Sequence, residues 1–168
     1  MKAFLHILAG PGAILLLLTL LSCANVTWPG EEEPREEQKK EDPKEESKMP
    51  DKIQITIDGK TLPIVLEKNE ATKALVGALR EASITFTASD YGGFEKVGPL
   101  GRSLPADNSR ITTDAGDVIL YSGNQIVLFY GSNTWSYTRL GKIAFSTLAQ
   151  LKSFLKAGEG NINVTLSL

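Results

Sequence analysis

The sequence predicts a mainly β domain: a closed antiparallel barrel of about eight strands with two short helices over its ends, preceded by an apolar leader and a charged tether. Three observations carry that prediction. First, eight runs between Lys52 and Leu168 either alternate apolar with polar residues or are rich in β-branched and aromatic side chains, as strands are. Second, short turns of Asp, Asn, Ser and Gly join many of these runs, which is how hairpins are made. Third, only two segments carry helical periodicity, and they do not alternate with strands, so there is no βαβ rhythm.

Taken in order, Lys52 to Ile57 places Ile53, Ile55 and Ile57 on one face. Asp58-Gly59 turns the chain into Thr61 to Glu67. Asn69 can cap a helix over Glu70 to Leu79, with Ala71, Leu75, Val76 and Leu79 along one stripe. Ser83 to Ala88 reads as a strand. Asp90 to Pro105 is a long glycine-rich loop with a short strand around Phe94 to Val97. Val118 to Tyr121 and Gln125 to Tyr130 flank Ser122-Gly123-Asn124. The second of these is apolar on both faces, which predicts a strand covered on both sides. Trp135 to Ile143 follows the turn Gly131-Ser132-Asn133. Ser146 can cap a second helix whose apolar face is Leu148, Leu151, Phe154 and Leu155, ended by Gly158. Asn161 to Leu168 alternates again, with Ile162, Val164, Leu166 and Leu168 facing inward.

The N-terminal part has a different character. Lys2 precedes an almost wholly apolar stretch, Phe4 to Leu21, which ends in Leu20-Leu21-Ser22-Cys23. A positive start, an apolar run and a small residue before the cut describe a secretory signal peptide over residues 1–22. The ending resembles the bacterial lipobox. That resemblance implies a diacylglycerol on the Cys23 thiol, cleavage before it, and a lipid anchor in a bacterial cell envelope. Each buried acyl CH₂ contributes roughly 0.8 kcal/mol to such anchoring. Two alternatives are a plain cleaved signal peptide and an uncleaved membrane helix, the latter weakened by Gly10-Pro11-Gly12. Residues 23–51 form the linker. Glu31 to Asp51 holds 10 acidic and 5 basic residues, three prolines and no large apolar side chain but Met49. It has too little to bury to offset its ordering entropy, so disorder is expected. The domain, residues 52–168, holds 10 acidic and 12 basic residues and is nearly neutral, which argues against a nucleic-acid partner.

The scarcest residues exclude the most chemistry. The single histidine, His6, lies in the leader, and the single cysteine is Cys23. Behind the leader there is neither a Ser-His nor a Cys-His pair, no disulfide, and no His or Cys for a zinc site. No metal and no cofactor are expected. Gly92-Gly93 and Gly98-x-x-Gly101 do not match a phosphate-binding pattern.

The segment SDYGGFEKVGPLGRSLP, together with GDVILYSGNQIVLFYGSNTWSYTRLGKI, resembles a bacterial group of cyclophilin-like fold proteins. The resemblance spans Lys52 to Leu168 and implies a compact cyclophilin-type barrel. Prolyl isomerases of that fold carry a Phe-His-Arg motif and a Gln-Phe-Phe motif. Neither is here, and Gln125 and Phe129 do not reproduce the second spacing. The resemblance therefore implies the fold but not the isomerase activity.

Trp135, Tyr137 and Arg139 alternate along one strand, with Asn133 in the turn before them, so they can share a face. Two aromatic rings beside a guanidinium suit an apolar or anionic group or a proline ring. The structural alternative is aromatic packing with Arg139 paired to a carboxylate. Tyr91 and Phe94 sit in the glycine-rich loop as a binding rim or as a folded-back lid. Arg102 is an anion ligand or a solvated charge, and Asp117 is expected to fix a turn. The candidate ligand-binding set is thus Tyr91, Phe94, Arg102, Gln125, Phe129, Asn133, Trp135, Tyr137 and Arg139. A lipid-anchored module binding a peptide, protein or small molecule accounts best for these features. A divergent prolyl isomerase and a structural envelope lipoprotein are the alternatives.

Overall fold

The computed structural model describes residues 48–168. Cys23, the signal peptide and most of the tether lie outside them. The strands are β1 (Lys52–Ile57), β2 (Lys60–Leu66), β3 (Ile84–Tyr91), β4 (Glu95–Pro99), β5 (Ser109–Thr112), β6 (Asp117–Tyr121), β7 (Gln125–Phe129), β8 (Thr134–Ile143) and β9 (Ile162–Ser167). The helices are α1 (Glu70–Glu81) and α2 (Leu148–Phe154). No helix among the described residues is long and apolar enough to cross a membrane.

All pairings are antiparallel, in the order β2-β1-β9-β3-β4-β7-β6-β8, and β8 returns to β2 to close the ring. The eight strands of that ring are the eight read from the sequence. The seam is three residues long: Ile64 faces Ile143, Val65 faces Lys142 and Leu66 faces Gly141. A Cβ at Gly141 would drive into the Val65 carbonyl, so closure here requires glycine. The tight β1–β2 hairpin rests on Asp58 and Gly59, both at positive φ (48° and 74°), as a primed turn demands.

β5 is a ninth strand outside the ring, and the sequence reading missed it. It pairs only with the first half of β8, from Ser109 opposite Tyr137 to Thr112 opposite Thr134. Its four residues bury no continuous face, so no apolar period announces it.

Inward residues of alternate strands fill the barrel. Ile53, Ile55 and Ile57 meet Val164 and Leu166 from β9, Val118 and Leu120 from β6, and Ile126 and Leu128 from β7. Leu75 and Leu79 of α1 and Leu151 and Phe154 of α2 join the same cluster. Asn69 caps α1 by accepting from the Thr72 N–H, and its amide donates to the Arg139 carbonyl at 2.7 Å, tying the helix to β8. The second helix is capped by Thr147 and not by the expected Ser146. The Thr147 hydroxyl accepts from Gln150 N, while the Gln150 side chain accepts from Ser146 N. Leu168, expected to face inward, lies beyond the end of β9 and is exposed.

A second, smaller cluster sits on the outer side of the wall. Ile119, Val127, Phe129 and Tyr137 are buried there, with Phe94, Val97, Ile111 and Tyr121 against them. β7 therefore has apolar neighbours on both faces, as its sequence indicated.

Candidate binding pocket on the outer wall

The outer cluster floors an open pocket of about 400 Å³. Five ring strands and one turn supply its walls. β3 delivers Tyr91 at its last residue, and the Gly92-Gly93 turn brings the chain back so that Glu95 pairs directly with Tyr91. Two residues on, Val97 faces Val127 of β7. Tyr121 of β6 and Gln125 of β7 face each other across their hairpin. β8 contributes Trp135 and Tyr137, and Asn133 enters from the turn before it.

The aromatic rings are locked from below. Phe94 stacks on Phe129 with centroids 6.3 Å apart. Tyr137 meets Phe129 edge-on at 5.8 Å and Tyr121 edge-on at 6.0 Å. Gly131 makes room for this arrangement, since a Cβ there would fall 2.7 Å from the Phe94 Cβ. Asn133 is fixed by Thr113, which accepts from its N–H at 3.0 Å and donates twice to its carbonyl. Its amide then donates to the Tyr137 hydroxyl at 3.0 Å, leaving that hydroxyl's proton as a donor. Burial foremost, and then the Glu95 charge, push the Tyr137 hydroxyl pKa upward. By contrast, Tyr91 and Trp135 are exposed at 66% and 54% and form the rim.

Glu95 is the residue that sequence reasoning overlooked. It is only 5% exposed, and its Oε2 is buried without a hydrogen-bond partner among the described residues. Burial pushes its carboxyl up to about 7. Tyr121, Val97 and Val127 also line the pocket and were not singled out. Alternation within FEKV could have placed Glu95 and Val97 on one face, but nothing local shows that this face is covered.

Five of the nine candidates line the pocket: Tyr91, Gln125, Asn133, Trp135 and Tyr137. Phe94 and Phe129 lie behind it as packing. Arg102 is exposed and does not line it. Arg139 is drawn away. Its Nη2 meets the Asp117 carboxylate at 3.0 Å and donates to the Thr112 carbonyl at 3.3 Å. Asp117 also accepts from Asp114 N at 3.0 Å, which is the turn expected of it. A register shift in the β6–β8 pairing lies beside Arg139, which pairs with Ile119. A carboxylate as buried as Asp117 needs a cation, and Arg139 supplies it. The expected grouping of Trp135, Tyr137 and Arg139 in one pocket is therefore corrected to the two aromatics alone.

Immediately behind Glu95, Lys96 points into the barrel and is fully buried. Its ammonium meets Asp90 Oδ2 at 2.8 Å and donates to the Gly160 carbonyl at 2.5 Å. Asp90 also accepts from the Tyr130 hydroxyl, Gly158 N and Gly160 N. Burial by itself would raise the Asp90 carboxyl, but the bonds from Lys96, Gly158, Gly160 and Tyr130 outweigh it and hold the group down at about 2. Among the described residues no cluster of three or more His, Cys, Asp or Glu could hold a metal.

With that geometry in place, comparison with known proteins assigns the fold. The sequence model of the cyclophilin-like family matches residues 55–167. The chain belongs to the cyclophilin-like family. A solution structure of a hypothetical protein from Archaeoglobus fulgidus superposes with a TM-score of 0.50 at 17% identity, covering 73% of this chain and 98% of that one. At that identity the likeness speaks for the barrel alone. None of the curated proteins matches the chain. The family thus accounts for the scaffold, while the pocket has to be read from its own residues.

Proposed function

We propose that this cyclophilin-like domain is a ligand-binding module, anchored to a bacterial cell envelope through a lipid on Cys23, and that the outer-wall pocket is where it binds. The observation that carries the proposal is the pocket itself. It is a concave aromatic site with Gln125, Asn133 and the Tyr137 hydroxyl as placed polar groups, rimmed by two large exposed rings. Its floor is pre-formed by interlocked rings, so little ordering entropy is lost on binding. An isomerase would set a cation against the proline amide. Arg139 is bonded to Asp117 and Arg102 lies off the pocket, so neither supports that reading.

Fragment titration followed by amide NMR tests it. Ligands should shift the Gln125, Asn133 and Trp135 signals together, and Trp135→Ala should weaken binding while the remaining spectrum holds. Shifts confined to other faces of the barrel would remove this pocket from consideration.

A further inference from the structure

Given that reading of the pocket, we infer that its ligand presents a protonated amine, which donates its N–H groups to Glu95 while its carbon chain lies among the rings of Tyr91, Tyr121 and Trp135. A buried carboxyl with an unpartnered oxygen is costly, and protein interiors normally supply a donor. Here they do not, although a lysine is the next residue along the chain. Strand alternation turns Lys96 inward to Asp90 and Gly160, and Arg139 is committed to Asp117. Among the described residues, no Lys, Arg or His lines the pocket beside Glu95. An anionic ligand would find no counter-charge there. A cation finds both a carboxylate and electron-rich ring faces, the combination that binds ammonium groups.

The same arrangement couples binding to protons. The titratable groups that line the pocket with Glu95 are all tyrosines, Tyr91 from β3, Tyr121 from β6 and Tyr137 from β8, while the Tyr130 hydroxyl just after β7 donates to Asp90 on the inner side. Among the residues lining the pocket, Glu95 is the one carboxyl, and no histidine stands beside it, so Glu95 governs the linkage near neutrality. Below pH 7 the free protein holds the Glu95 proton, and an arriving ammonium displaces it. Affinity should rise about tenfold per pH unit up to that point and then level off.

The test is calorimetric titration of the full-length protein with three probes: n-butylammonium, an N-acetyl-lysine amide and neutral n-butanol. Both amines should bind more tightly than the alcohol and should release close to one proton at pH 6, read from buffers of different ionisation enthalpy. Glu95→Gln should lower amine affinity about 10- to 100-fold and abolish the release. Preference for butylammonium points to a free amine, and preference for the lysine derivative to a peptide-borne one. If the alcohol binds as well as the amines, or Glu95→Gln leaves amine binding unchanged, the amine inference is overturned while the pocket reading stands. If no probe shifts the Trp135 amide signal, the pocket reading falls with it.

Discussion

Asp90 and Glu95 face opposite sides of one β-ribbon, five residues apart, and the barrel treats them in opposite ways. Asp90 receives four donors and is held down at about 2. Glu95, more deeply buried, has an unpartnered Oε2 and is pushed up to about 7. Both are carboxyls against a hydrophobic wall, so residue type does not explain the difference. Donors do: the C-terminal turn after α2 brings two backbone N–H groups to Asp90, and no element brings any to Glu95 Oε2. The contrast separates a carboxyl that ties the fold together from one whose oxygen the fold leaves without a donor.

Breaking the inner network should have the largest effect. Asp90→Ala strands a fully buried lysine and should destabilise the domain by about 3–5 kcal/mol, measured by denaturant unfolding. Adding Lys96→Met in the same chain should recover much of that loss, because an apolar side chain of similar length has no charge to desolvate. If the single and double variants are equally unstable, the ion pair is not what Asp90 contributes.

Glu95→Gln should act in the other direction. Glu95 ionises at its ordinary 4.5 when unfolded and at about 7 when folded. Its contribution to stability is fully present below pH 4.5 and is lost as pH rises through 7. Above pH 7 the wild type carries the whole penalty, up to about 3 kcal/mol, which the amide should relieve in part. The variant should be the more stable one at pH 8 and should lose the downward slope between pH 4.5 and 7. Asp90 gives the opposite limb. Its folded value of about 2 lies below its ordinary 3.8, so its stabilisation is present above 3.8 and fades as pH falls through 2. Of these two groups' making, wild-type stability should therefore peak between pH 3.8 and 4.5.

The same contrast explains what was legible in the amino-acid sequence. The eight ring strands declare themselves because each carries its own alternation or turn chemistry, Asp58-Gly59 above all. β5 does not, since Ser109–Thr112 is held by backbone pairing to β8 and not by an apolar face of its own. The seam between β2 and β8 depends on what Gly141 meets across 75 residues of chain, which no local pattern encodes. In the site, Trp135 and Tyr137 were visible as an alternating pair. Arg139 continued that alternation in sequence, yet Asp117 on the neighbouring strand claimed it. Nothing in the sequence around Glu95 sets it apart from a surface carboxyl. Its place in the wall is set by pairing with Phe129, from a strand distant in sequence.

The smallest stability effect should belong to the rim, and that separates it from the floor. Trp135→Ala removes a ring that is 54% exposed, so unfolding should shift by no more than about 0.5 kcal/mol. Phe129→Ala removes a fully buried ring on which both Phe94 and Tyr137 rest, and should cost about 3–5 kcal/mol. Both should impair ligand uptake, but by different routes: the first with the fold intact, the second by collapsing the pocket floor. Equal losses of stability would mean that Trp135 belongs to the packed wall. Near-neutral stability for Trp135→Ala with binding lost would mean that the exposed ring is kept for a ligand, since its burial in the free protein contributes almost nothing.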